Sequence, residues 1–222
     1  MSEPCLRPVA DSALLVEISD RADEAAEIAV ARLDAALAAT PFPGFSEAVP
    51  AYASLLVVFD PRVTDHEAAA AALRALWRAA PAAAPTGARH EVPVCYDGAL
   101  APDLPEVARR TGLAPEAVIA AHLAGDYRVV MVGFAPGYAY LAGVPEVLHL
   151  PRKPSALRDI PAGSVIIAGP QCLVTTLTMP TGWWIIGRSP LRILTGDPAR
   201  PFLLHSRDRL RFRRIAAAGI PA

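Results

Sequence analysis

Three segments in the second half of the chain combine residue types that can hold an anion beside a flat ring. The first is Gly133-Phe134-Ala135-Pro136-Gly137-Tyr138-Ala139-Tyr140-Leu141. Two glycines and a proline dictate its backbone path, and three aromatics can line a pocket rim, where a ring gives contact area at low entropic cost. A tight turn with its rings in a core is the competing reading. The second is Pro151-Arg152-Lys153 with Arg158, running into Pro161-Ala162-Gly163-Ser164. Guanidinium groups on a proline-stiffened loop suit two-pronged capture of a carboxylate or phosphate; a solvated basic loop is the alternative. The third is Pro180-Thr181-Gly182-Trp183-Trp184-Ile185-Ile186-Gly187-Arg188-Ser189-Pro190. Strand alternation sends one tryptophan to the core and the other away. Arg188, at a strand end, is the favoured anion ligand, with a surface ion pair as its bland reading.

Other reactive residue types carry less. His122 follows Val118 and Ile119 by four and three residues, so it shares their buried helix face and reads first as a satisfied core histidine. Cys172 becomes a nucleophile only beside a base, and the sequence puts none near it. Asp126, Asp159 and Asp208 show no paired-carboxylate pattern. Cys5, Cys95 and Cys172 are odd in number and far apart, so they form neither a disulfide framework nor a CxxC clip. No metal site is read here. There is no G-x-x-x-x-G-K-[ST], and the single lysine, Lys153, stands between Arg152 and Pro154. G-x-S-x-G, HExxH and GxGxxG are also absent. Any ATP chemistry therefore needs phosphates held in another way or by another chain.

The elements that must position these residues fall into two groups. With 53% hydrophobic and 19% charged residues, the 222-residue chain can bury one large core or two small ones. A net charge of -1 without a basic block argues against a nucleic-acid footprint. No basic segment followed by an apolar run opens the chain, and no apolar stretch reaches membrane-spanning length; the absence of a disulfide framework among the three cysteines fits a reducing cytoplasm. Ala13 to Ser19 reads as a strand and Arg21 to Ala39 as a helix, with Ala26, Val30, Leu33 and Leu37 on one face. Leu55 to Phe59 is a second strand. Thr64-Asp65-His66-Glu67 has the form of a capping box before a second helix. Residues 1–84 thus predict a small α/β domain, followed by the Pro/Ala-rich linker around Pro81 to Gly87. In residues 85–222, Arg89 to Cys95 reads as a strand. Asp103 and Glu106 open a short helix that Gly112 closes, and Pro115 starts another. From Tyr127 onward, short β-rich runs between Gly/Pro turns, including Leu191 to Leu194, predict an antiparallel barrel or sandwich.

Taken together the segments resemble the 5-oxoprolinase B-subunit family, also known as the first subunit of allophanate hydrolase, which includes KipI-like kinase inhibitors. The matching residues are His90 and Pro93, His122 followed by Tyr127, Gly133-Phe134-x-Pro136-Gly137-Tyr138-x-Tyr140-Leu141, Pro151-Arg152, Pro161-x-Gly163-Ser164-Val165, Gly182-Trp183 and Ile186-Gly187-Arg188-Ser189-Pro190. The resemblance covers nearly the whole chain. The resemblance implies an α+β protein, with an N-terminal ferredoxin-like α/β domain followed by a C-terminal cyclophilin-like β-barrel domain. It implies pairing with a homologous C subunit, a carboxyltransferase-domain protein, and with an A subunit of the LamB/YcsF type. That assembly uses ATP, with Mg, to open the lactam of 5-oxoproline to glutamate, and this chain is expected to be inactive alone. The resulting substrate- or anion-binding candidates are Arg188, Arg152, Arg158, His122, Phe134, Tyr138, Gln171 and Trp183.

The chain departs from the family pattern at Ala156-Leu157 (a usual Pro-Arg), Cys172-Leu173 (Thr-Gly), Thr175-Thr176 (Tyr-Pro), Thr181 (Gly) and Arg207 (the Gly of a usual Gly-Asp). Most of these lie in loops around the expected pocket. Two other functions fit the same resemblance: a KipI-like regulator of a histidine kinase, and a carboxyltransferase-type domain of urea degradation. In the second case Lys153 lacks the Met-Lys setting of a biotin carrier, so the chain would only receive carboxylated biotin.

Overall fold

The computed structural model describes residues 3–81 and 83–220, and the chain forms two compact units, Met1–Thr86 and Gly87–Ala222. In the first, strands β1 (Cys5–Val9) and β2 (Ala13–Glu17) form a hairpin, followed by helix α1 (Glu24–Ala39), β3 (Phe45–Pro50), β4 (Ser54–Phe59) and α2 (His66–Ala79). The sheet order is β1-β2-β4-β3, antiparallel throughout. Val30, Leu33, Leu37 and Leu73 of the helices pack on Leu14, Val16, Leu55 and Val57 of the two central strands.

Three details of this unit differ from the sequence reading. Helix α1 begins at Glu24 rather than Arg21, because the Asp23 carboxylate accepts the Ala26 N–H as N-cap. Asp65, not Thr64, caps α2, accepting from Ala68 N. Strands β1 and β3 were not expected. Both are edge strands, where Pro8 and Pro50 are tolerated and little burial is required, so neither carries a strong periodic signal.

The second unit is a seven-stranded sheet in the order β12-β9-β10-β7-β6-β13-β5. Its strands are β5 (Arg89–Val94), β6 (Tyr127–Val132), β7 (Ala139–Ala142), β9 (Ser164–Ala168), β10 (Gln171–Val174), β12 (Trp184–Arg188) and β13 (Arg209–Arg214). The sheet closes on itself where Cys95 and Arg188 exchange two backbone hydrogen bonds of 2.8 Å. A barrel results, open along most of β5. Helices α3 (Leu104–Thr111) and α4 (Pro115–Ala124) contribute Val107, Ala108, Val118 and Ile119 to its core, and Gly112, at φ 72°, ends α3 as expected.

Alternation assigns the apolar strand residues to two faces. Val165, Ile167, Cys172, Val174, Trp184 and Ile186 fill the barrel interior. Ile166, Ala168, Leu173, Ile185 and Trp183 belong to a second cluster on the outer face, with Ile160 from the small sheet of β8 (Leu157–Ile160) and β11 (Met179–Thr181). Burial on both faces explains why these strands read as continuous apolar runs rather than alternating ones. Leu191 to Leu194 is not a strand: Leu194 makes only an isolated bridge with Phe202.

Candidate functional site

The outer cluster ends in an open cleft of about 320 Å³ whose walls include Phe134, Tyr138, Tyr140, Arg152, Thr181 and Trp183. Four sequence candidates meet there: Phe134, Tyr138, Arg152 and Trp183. Tyr140, which the sequence placed only on a pocket rim, links them. Ring centroids run Phe134–Tyr138 5.6 Å, Tyr138–Tyr140 6.2 Å and Tyr140–Trp183 6.0 Å. The Arg152 guanidinium lies over the Trp183 ring, 5.5 Å from its centroid. Among the described residues no carboxylate pairs with it, and no acidic side chain lines the cleft.

The backbone holds Arg152 from both sides. The Trp184 indole donates to Pro151 O at 2.8 Å, and Lys153 N donates to Gly182 O at 2.7 Å. Lys153 is itself anchored, its ammonium 2.5 Å from Asp103 Oδ2 with both side chains largely buried. Asp103 was expected to cap α3. Instead its carboxylate takes Lys153 and the Ile185 N–H, and so ties the Arg152 loop to β12. Arg152 remains exposed while its neighbours are fixed, which suits a side chain meant for a ligand.

Phe134 is 81% exposed and sits at φ 77°. A large side chain at positive φ costs roughly 1–2 kcal/mol. The turn spends that strain to display an aromatic at the rim. Burial pushes the Tyr138 phenol up to about 12 and also raises Tyr140, the Arg152 charge pulling Tyr140 the other way. Both phenols therefore stay protonated near neutral pH and can donate.

Arg188 does not join this cleft. It lines a second one of about 370 Å³ with Gly163, Thr176, Ser189, Arg192 and Ile193. Strand β12 separates the two arginines, with Trp183 just before its first residue and Arg188 its last. The turn 133–138 runs between the clefts: Thr176 Oγ1 donates to Pro136 O at 2.7 Å, while Phe134 and Tyr138 face the first cleft. Arg158 is exposed on β8 and Gln171 half-buried at the start of β10, and neither lines either cleft.

His122 is sealed in the barrel interior, which corrects its expected role as an anion contact. Its Nδ1 is 2.8 Å from Tyr96 Oη, its Nε2 3.6 Å from Cys172 Sγ, and its ring packs 4.4 Å from that of Phe212. The base that the sequence could not supply for Cys172 is thus present, fifty residues away. Yet burial drives the imidazole down to about 3 and the thiol far above its usual range. Neither group is charged at neutral pH, and neither is solvent-accessible. The pair is structural.

A pH dependence follows. An unfolded histidine titrates near 6.5, so with a folded value of about 3 the barrel keeps this contribution fully above pH 6.5 and loses it as pH falls towards 3. Urea midpoints measured from pH 7 to 4 should fall, and His122→Leu should flatten the slope by up to about 1.4 kcal/mol per pH unit. An unchanged slope in the variant would assign the acid loss to other groups.

Among the described residues no group of three or more His, Cys, Asp or Glu is arranged to hold a metal ion, and no helix is long and apolar enough to cross a membrane. Residues 4–204 match the family model described as carboxyltransferase domain, subdomain C and D. The 5-oxoprolinase B subunit of Bacillus subtilis (strain 168) is 36% identical over 95% of this chain and 92% of its own length. That of Escherichia coli O157:H7 is 35% identical over 92% of this chain and 93% of its own. The crystal structure of TTHA0988 superposes with a TM-score of 0.83 at 35% identity, covering 98% of this chain, which spans only 41% of that longer one. The K. lactis urea amidolyase gives a TM-score of 0.80 over 98% of this chain and 15% of its own, at 15% identity, a likeness of fold alone.

Proposed function

Because the chain belongs to the 5-oxoprolinase B-subunit family, we propose that it is the B subunit of an ATP-dependent enzyme that opens 5-oxoproline to glutamate. A homologous C subunit and an A subunit of the LamB/YcsF type complete the cytoplasmic assembly. The observation that carries this reading is the Arg152 guanidinium over Trp183, in an aromatic cleft with no acidic lining. A small ring bearing a carboxylate fits such a site: the rings take its flat faces and Arg152 its charge. Tyr138 and Tyr140 supply donors beside it.

A five-membered lactam is a poor electrophile, and ATP would supply activation by phosphorylation of the amide oxygen. Among the described residues there is no G-x-x-x-x-G-K-[ST] loop and no group of three or more His, Cys, Asp or Glu arranged to hold a metal ion. The phosphates of ATP are then held in another way or by a partner chain. The role this reading gives the chain is to bind and orient the lactam. The first unit fits a ferredoxin-like arrangement in which β1 occupies the edge position of the fourth strand. The second fits a cyclophilin-like barrel.

The test is reconstitution. Co-expressed with the homologous C subunit and supplied with the A subunit, the chain should support ATP-dependent glutamate release from 5-oxoproline, and alone it should support none. Turnover by the single chain, or none by the complete assembly, would contradict the reading.

A further inference from the structure

The second cleft carries two guanidinium groups and, among the described residues, no acidic side chain in its lining. Arg188 is half-buried at the end of β12, and its side chain has no hydrogen-bond or ion-pair partner among the described residues. Burial accordingly lowers its pKa. A part-desolvated cation without a counter-charge is costly unless an anion meets it.

The surroundings keep access to it open. Ser189 N donates to Gly163 O at 2.7 Å, and Gly163 N donates to Thr175 O at 2.7 Å, so the Gly163 backbone is fixed against the cleft floor. Gly163 sits at φ 84°, where a Cβ would stand 2.4 Å from Ser189 O and 3.5 Å from Arg188 Nε. Only glycine fits there, and the backbone lies directly beside the guanidinium. Ser189 Oγ accepts from Leu191 N at 3.1 Å, which leaves its hydroxyl hydrogen available to a ligand. Leu191, Ile193 and Leu194 give the far wall an apolar surface.

We propose that this cleft binds a phosphoryl dianion carried on a small apolar body, with Arg188 as the principal ligand, Arg192 as the second charge and Ser189 as a donor. Two cations facing no carboxylate favour a doubly charged oxyanion over a single carboxylate. The site needs no metal ion. Its lining residues are distinct from those of the Arg152 cleft.

Phenyl phosphate and benzoate share the apolar body and differ in the oxyanion, and each is titrated calorimetrically into the full chain at matched ionic strength. Phenyl phosphate should bind saturably and more tightly than benzoate. Arg188→Met should weaken it roughly tenfold, the loss of one charge-assisted contact. Arg192→Met, at an exposed position, should weaken it severalfold without lowering the melting temperature, which keeps the test open should Arg188→Met fold poorly. Arg152→Met should leave it unchanged. Equal binding of benzoate, retention of phenyl phosphate by the two cleft variants, or its loss in Arg152→Met would each overturn the proposal.

Discussion

Replacing Arg152 by methionine should lower kcat/KM of the reconstituted 5-oxoproline-cleaving assembly by roughly 10- to 100-fold, the range expected when one charge-assisted contact to a carboxylate is lost. Its stability should hardly change. Arg152 is exposed and, among the described residues, pairs with no carboxylate, so its removal leaves no buried charge behind. The loop that carries it is held through Pro151 O, Lys153 N and the Lys153–Asp103 pair, none of which involves the guanidinium. The kinetic split is informative. If Arg152 binds the carboxylate equally in ground and transition states, KM should rise and kcat should hold. Arg152→Lys should restore only part of the loss, since an ammonium keeps the charge but neither the fork nor the flat stacking on Trp183. A large fall in melting temperature would instead make Arg152 structural.

The second large effect is on folding. Gly143, just after β7, sits at φ 109°, and a Cβ there would lie 2.1 Å from Asp126 O and 3.1 Å from the Tyr127 Cα. Asp126 leads into β6, which pairs with β7, so the clash falls on backbone that cannot move without breaking that pairing. Gly143→Ala should cost about 3 kcal/mol from backbone strain and overlap together. For a domain of this size that lowers the melting temperature by roughly 10 °C. Gly133→Ala is the control: a Cβ there meets nothing within 4 Å and the backbone is not at positive φ, so its melting temperature should stay close to the parent's. Equal losses at both positions would mean that general glycine replacement, not the close approach at Gly143, sets the cost.

Much of the architecture was legible because local chemistry wrote it plainly. Val30, Leu33 and Leu37 keep helical spacing, Gly112 terminates α3 in the left-handed conformation, and β-rich apolar runs between turns such as Ser164–Ala168 are strands. The edge strands β1 and β3 escaped notice because an edge tolerates proline and polar residues. The site was legible in part. The turn at 133–141 and the loop at 151–153 were identified as chemical segments, and Trp183 and Trp184 do take opposite faces. Pairings across long separations could not be read. Asp103 binds a lysine fifty residues away rather than capping its own helix, and His122 meets Cys172 across the same span. Arg152 and Arg188 stand together in the sequence only as candidate anion contacts. Only the length and direction of β12 reveal that they serve different clefts.

The aromatic cleft under Arg152, on this reading, receives a small ring bearing a carboxylate. Its occupancy can be followed by NMR through the three tryptophan indole N–H signals while 5-oxoproline is added to the chain in complex with the homologous C subunit. The Trp183 signal should shift saturably, Trp77 should stay still, and Arg152→Met should abolish the shift. A Trp183 signal that does not move at saturating ligand, or one that moves equally in the variant, would remove the cleft as the lactam's binding site.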